Sequence, residues 1–241
     1  MEDSTGMSEV KPVIGILGAG RLGLVLARLV SGAGYQVLIA GSGDPRRVAL
    51  PRDVLGSGVI ATTATTATEQ ADIVILALPL SRFRAIPAGA LGGKLVIDAM
   101  NYWWTADGLL AEFTDPLTSS SEVVQSHLSA SRVVKAFNHM GYTDLEDEAR
   151  PRGQADRKAI GVAADDSRDV DLVAGIVDDA GFDPVRVGRL ADGVRLEPGT
   201  EPFGADVGAG ELQAMIDSFP SSQRGLRRAA ASAAPDPPES G

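Results

Sequence analysis

No cysteine occurs in the 241 residues, which excludes disulfides, thiolate nucleophiles and cysteine-ligated metals. Histidine is almost as scarce. Only His127 and His139 are present, too few for a histidine-rich metal site, so no metal is expected. No apolar run approaches the roughly 20 residues that a membrane-crossing helix needs. The stretch Met1 to Lys11 is acidic and polar and does not read as a secretory leader. A cytoplasmic location is the resulting expectation, and the absence of cysteine is compatible with it. Positive charge is in deficit. The formal net charge of −10 argues against nucleic acid as a partner, and it requires any anionic ligand to dock where local positive groups outweigh the overall field. Serines are numerous, but no G-x-S-x-G elbow supports a hydrolase.

What is present is a 44% hydrophobic chain of a length that suits one α/β domain or a domain and a half. Val13-Ile14-Gly15-Ile16-Leu17 is a short apolar strand that runs into Gly18-Ala19-Gly20-Arg21-Leu22-Gly23. In such a G-x-G-x-x-G turn, Gly18 permits the tight bend, Gly20 lets backbone approach a pyrophosphate, and Gly23 lets the next helix pack close to the strand. A helix over 21–31 then aims its N-terminal amides at that phosphate, and a second strand follows over 36–40. Further strands are expected at 73–78, 94–98, 132–137, 158–163 and 183–187. Helices are expected at 62–70, around 81–85, at 122–128 and at 167–180. The acidic stretch Asp144 to Glu148 reads as a solvated helix face. This alternation predicts a doubly wound, mostly parallel sheet, that is, a Rossmann-type α/β fold with a short C-terminal extension. Residues 1–10 read as a loose lead-in, 11–223 as the nucleotide-binding domain, and 224–241 as a disordered tail without apolar periodicity.

The end of the second strand points to the cofactor. An NAD site would place Asp or Glu roughly 20 residues beyond the glycines, to hold the ribose 2′-hydroxyl. Ala40-Gly41-Ser42-Gly43 stands there instead, with Arg46 and Arg47 following, which favours a 2′-phosphate and hence NADP(H). Leu78, Pro79 and Leu80 end a buried strand on the sheet's carboxyl edge, placed either to press on the nicotinamide ribose or merely to terminate the strand. Asp98 to Trp104 leaves the same edge and brings Trp103 and Trp104 to one place, as pocket lining or as a lid over the core. Val133 to Gly141 ends in Asn138 and His139. These are the candidate catalytic residues: Asn138 as a donor to the nicotinamide carboxamide or a substrate oxygen, His139 as an acid–base group or a structural histidine.

With these pieces in order, the chain resembles the coenzyme F420-dependent NADP oxidoreductase-like family and is similar to the cytoplasmic domain of the STEAP ferric reductases. The resemblance covers about residues 12–204. It rests on the glycine turn, Gly41-Ser42, Ile97-Asp98-Ala99-Met100-Asn101, Val133-Val134-Lys135-Ala136-Phe137-Asn138, and Gly181-Phe182-Asp183-Pro184 with Gly188. It implies hydride exchange between NADP(H) and a deazaflavin, coenzyme F420, bound face to face at the switch point. Cofactor contacts would come from Gly18 to Gly23, Ser42, Arg46, Arg47, Leu78 to Leu80, Asn101, Ala136 and Asn138, and the Asn138 to Met140 turn would border the deazaflavin. Two features depart from the family pattern: Gly43 stands where members often carry arginine, and the Tyr102-Trp103-Trp104 stretch is additional. The other readings are a non-catalytic NADPH-binding or redox-sensing module, and a reductase of a small carbonyl or imine compound. A small-molecule acceptor is the expected partner. The oligomeric state stays open between monomer and homodimer.

Overall fold

Valine- and isoleucine-rich tetrapeptides dictate the architecture, because β-branched residues suit strands and runs without polar interruption suit strands covered on both faces. The computed structural model describes residues 10–43 and 58–233. Eight strands form one sheet: β1 Ile14–Leu17, β2 Val37–Ala40, β3 Val59–Ala61, β4 Ile73–Leu76, β5 Leu95–Asp98, β6 Arg132–Lys135, β7 Ala159–Ala163 and β8 Asp183–Gly188. Their spatial order is β3-β2-β1-β4-β5-β6-β7-β8. All neighbours run parallel except β6 and β7, which meet antiparallel at Lys135 and Ala163. The first six strands thus follow the 3-2-1-4-5-6 order of a doubly wound dinucleotide fold, with the order reversing between β1 and β4.

The helices are α1 Arg21–Gly32, α2 Ala64–Gln70, α3 Trp104–Asp107, α4 Ser120–His127, α5 Tyr142–Asp147, α6 Ser167–Asp179, α7 Ala209–Ser218 and α8 Gln223–Ser232. Alternate strand residues feed two cores. Ile14, Ile16, Ile39, Ile75 and Ile97 pack with α1, α5 and α6 on one face. Leu17, Leu38, Val74, Leu76 and Val96 pack with α2 and α4 on the other. Beside the second face, α7 covers β7 and β8 through Leu212 and Ile216. Among the described residues no helix is long and apolar enough to cross a membrane.

The structure departs from the sequence reading in three places. β3 escaped notice because an edge strand of three residues carries no period worth reading. Strands β4 and β6 stop two residues earlier than the apolar runs suggest, leaving Ala77-Leu78 and Ala136-Phe137 in the turns that build the site. The tail expected from Arg224 is instead helical to Ser232. Ser222 caps that helix by accepting from the Gly225 amide, and Arg224 and Arg228, one turn apart, bond the Pro198 and Pro116 carbonyls at 2.9 Å. Alanine and arginine are good helix formers, so a cap and two anchors suffice to order the segment without an apolar stripe.

Candidate functional site

Two cavities open on the carboxyl edge, where ligands sit in open α/β sheets. The first, about 840 Å³, is lined by Leu17 to Gly20, Ala40 to Ser42, Ala64, Thr65, Thr68 and Glu69 of α2, and residues after β4 from Ala77 to Pro79 and, at intervals, from Arg82 to Ala90. The second, about 540 Å³, is lined by Gly20 to Leu22, Ala99 to Asn101, Trp103, Asn138 to Tyr142, Phe203 and Gly204, among others. Gly20, Ala77, Leu78 and Pro79 belong to both. The cavities therefore meet at the reversal between β1 and β4.

The glycine turn fits a dinucleotide. A Cβ on Gly18, whose φ is +119°, would lie 2.2 Å from the Ala77 carbonyl oxygen, and one on Gly23 would lie 1.8 Å from the Gly18 oxygen. Both glycines are therefore demanded by the protein's own packing. Gly20 is not: a Cβ there would meet nothing within 4 Å, so the space above it is left for a ligand. Gly20 also caps α1 without a side-chain bond, and no acidic residue occupies the helix's first turn. Its amides and macrodipole are thus available to an anion. Ala40, Gly41 and Ser42 line the first cavity and bring no carboxylate to the end of β2. Arg46 and Arg47 lie outside the described residues. Arg82, which sequence reasoning passed over, reaches the first cavity from the 3-10 turn Leu80–Ala85, and its signal was its position three residues past Pro79 on the ligand edge.

The structure reassigns four expected contacts. Leu80 and Ala136 are fully buried in the two cores and line neither cavity. They fall on the core side because the strands end early and the chain turns. Asn138 lines the second cavity, but its donors are already committed: Nδ2 donates to Leu196 O at 2.7 Å and to Asn101 Oδ1 at 3.0 Å. Asn101 Nδ2 in turn donates to the Asn138 carbonyl at 2.7 Å. The Leu196 carbonyl fixes which way the Asn138 amide faces, so the Asn138 side chain has no N–H to offer a carboxamide. Its Oδ1 is buried without a partner.

His139 is likewise structural. Its ring is buried, and Nε2 accepts the Gly161 amide at 3.0 Å, which places the neutral ring's proton on Nδ1. Burial pushes its pKa from 6.5 down to about 4, opposed in part by the Pro202 carbonyl, although Nδ1 has no partner at hydrogen-bond geometry. A ring held neutral and tied to backbone is unsuited to shuttle protons near neutral pH. The turn that places both residues is strained. Phe137 has φ of +60° while wholly buried, a costly conformation for a bulky side chain and one that recurs at functional sites.

Beneath the site runs a buried polar chain that the sequence did not disclose. Lys135 Nζ, wholly buried, donates to Asp98 Oδ2 at 3.2 Å, Met100 O at 2.7 Å and Ser120 Oγ at 3.4 Å. Asp98 also accepts from Ser121 Oγ at 2.6 Å and from the Met100 amide at 3.0 Å. Glu197 accepts from Ser120 N and Oγ at 2.7 and 2.9 Å and pairs with Arg224 on α8. Both polar groups of the Met100 peptide are thereby pinned, next to Asn101 on the cavity wall.

The family model for coenzyme F420-dependent NADP oxidoreductases matches residues 13–102, the segment that holds the glycine turn and the lining residues of the first cavity. Over that segment the chain resembles the F420-dependent NADP oxidoreductase family. It is 27% identical over 188 residues to metalloreductase STEAP3 of Rattus norvegicus, covering 77% of this chain and 36% of STEAP3. The chain spans between 36% and 56% of the length of the curated relatives it matches. The crystal structure of the hypothetical protein SMa0349 of Sinorhizobium meliloti superposes with TM-score 0.72 at 28% identity, over 82% of this chain and 95% of that one. A protein of Arthrobacter sp. FB24 with the provisional name of F420-dependent NADP-reductase shares the fold, with TM-score 0.63 at 21% identity, over 76% and 88% of the two chains. These likenesses show a Rossmann-type α/β fold.

Proposed function

We propose that this chain transfers a hydride between NADP(H) and a planar deazaflavin-type acceptor such as coenzyme F420. The observation that carries the reading is the pair of cavities meeting at Gly20 and Leu78-Pro79: one has the features of a dinucleotide cradle, the other is mainly apolar. When bound, NADP(H) supplies the hydride. The residues of this chain bind and align. The α1 amides and the space over Gly20 suit the pyrophosphate, and Ser42 with Arg46 and Arg47 suits the 2′-phosphate. Leu78 and Pro79 form the wall common to both ligands and keep water from between them. Orientation of this kind supplies much of the rate in a direct transfer between carbons about 3–3.5 Å apart, with no nucleophile needed.

The state of His139 favours this reading over reduction of a small carbonyl or imine, where a proton donor beside the reacting carbon would be expected. Among the described residues no lysine lines the second cavity, so they supply no catalytic lysine of the hydroxyacid dehydrogenase kind. The test is an anaerobic screen in which NADPH is mixed with protein and, in turn, coenzyme F420, FMN, a ferric chelate and a cyclic imine. NADPH consumption with F420, and slower consumption with NADH, is the expected result. Tight NADPH binding with no acceptor reduced would make the chain a binding module instead.

A further inference from the structure

Both tryptophans lie in one loop, yet the structure gives them different places. Trp103 lines the second cavity, whereas Trp104, 65% exposed, lines neither. The Trp103 ring meets Phe203 edge to face, with centroids 5.4 Å apart and planes at 70°. Among the described residues no ring stacks on its face, and the indole remains 46% exposed. The helix that follows it, α3, buries no residue. A carboxylate ties the loop down. Asp107 Oδ2 accepts the Trp103 amide at 2.9 Å, and Oδ1 accepts the Ser81 amide at 3.0 Å. Ser81 stands two residues past Pro79, so Asp107 clamps the aromatic loop to the strand end that both cavities share. Further out, the Tyr102 hydroxyl donates to Gly108 O at 2.7 Å and accepts from the Leu110 amide at 3.0 Å, bracing the same loop.

The rest of the wall is chiefly apolar, with Ala99, Met100 and Met140 among its residues, and its cation, Arg21, is engaged with the Tyr142 hydroxyl at 2.6 Å. Among the lining residues, Arg21 is the one charged donor that a small carboxylate or phosphate would find there. A broad ring would find an indole face and two thioethers.

We propose that Trp103 is the stacking platform and specificity-determining residue for a planar heteroaromatic co-substrate in the second cavity, and that Asp107 is the positioning residue that holds it by bridging the Trp103 and Ser81 amides. This rests on the reading that the second cavity receives the hydride acceptor. The test uses full-length protein saturated with NADP⁺ and titrated with coenzyme F420, then with FMN, so that binding is read without turnover. In a Trp104→Phe background Trp103 is the sole indole, and F420 should quench its emission. Trp103→Ala should raise the F420 Kd and KM at least about tenfold, in line with the loss of a ring–aromatic stack. Its kcat should change less than about threefold, its NADPH Kd less than about twofold, and Trp103→Phe should recover most of the loss. Asp107→Ala should shift Trp103 emission to the red and raise the F420 KM comparably, and the double variant Trp103→Ala/Asp107→Ala should bind no more weakly than Trp103→Ala. Unchanged F420 affinity in Trp103→Ala overturns the assignment, as does an equal loss of NADPH affinity. Fully additive effects would mark Asp107 as merely structural. F420 binding that quenches Trp103 without any hydride transfer would remove the transfer reading and leave the platform standing. Turnover with an unchanged KM in Trp103→Ala would do the reverse.

Discussion

Replacing His139 by glutamine separates its architectural role from a catalytic one, and the magnitude follows from its environment. In the unfolded chain an imidazole titrates near 6.5, while in the folded chain burial holds it to about 4. Between those values the unfolded state binds a proton that the native state refuses, so stability is full above the unfolded value and falls as pH drops through the window. At about 1.4 kcal/mol per factor of ten in proton affinity, the loss comes to about 3 kcal/mol by pH 4, most of it below pH 6. The assay is urea denaturation at pH 7.5, 6.5, 5.5 and 4.5 for the unmodified protein and for His139→Gln, whose side-chain oxygen can still accept the Gly161 amide. Carboxylates titrate in both proteins, so the difference between the two curves isolates the histidine. The unmodified protein should lose stability more steeply with acid, so that its difference from the variant changes by about 2–3 kcal/mol between pH 7.5 and 4.5. Turnover of the variant at neutral pH should fall by no more than about tenfold, with a flat profile from pH 6 to 8 in both proteins. Parallel stability curves would refute the buried neutral ring. A thousandfold loss of turnover, with a histidine-like pKa vanishing from the rate profile, would restore His139 as a proton donor and favour a carbonyl or imine substrate.

The other expectations are briefer. Gly20→Val should keep stability within about 1 kcal/mol while abolishing NADPH binding. Gly23→Ala should instead destabilise the fold by about 1–3 kcal/mol or more, because its Cβ would collide with backbone, and the two measurements together test which glycine serves the ligand. Lys135→Met strands a wholly buried carboxylate and should cost about 3–5 kcal/mol by urea denaturation; a neutral result would show that Asp98 finds other support. Ending the chain at Ser222 removes the anchors from α8 to Glu197, Pro198 and Pro116, and the melting temperature should drop by more than about 3 °C. Replacing Arg46 and Arg47 together by alanine should erase most of a ten- to hundredfold preference for NADPH over NADH, the span expected of one or two charged hydrogen bonds of about 1.5–3 kcal/mol. Equal Kd values for the two cofactors in the unmodified protein would count against the 2′-phosphate site.

The glycine turn could be read from the chain because its requirements are local. Gly18 and Gly23 are dictated by atoms within a few residues or on the adjoining strand, and the missing carboxylate at Ser42 sits at a fixed distance along the sequence. The parallel sheet was legible for a similar reason, since tetrapeptides such as Ile73–Leu76 have no polar face to turn outward. Roles that depend on burial were not legible. Asn138 and His139 look like free polar groups in a string of letters, and only the return of Leu196 and Gly161 from distant parts of the chain uses them up. Lys135 appeared within a motif, but nothing in its neighbours announces that Asp98, Ser120 and Met100 converge on it. Phe203 comes from a stretch without period or motif, and Asp107 gains its meaning only from the Ser81 amide, 26 residues away.

The two cavities divide the chain as well as the space. Every residue lining the first lies at or before Ala90, and the residues that belong to the second alone are, apart from Arg21 and Leu22, drawn from Ala99 onward. On the proposed reading, cofactor choice and acceptor choice are written in successive stretches of the gene, joined only through the shared wall at Gly20 and Ala77 to Pro79. A lineage can keep one nucleotide cradle and exchange its acceptor by altering the second stretch alone. An engineer can do the same by grafting the loops after β5 and β6, together with the Phe203 segment, onto an unaltered amino-terminal half.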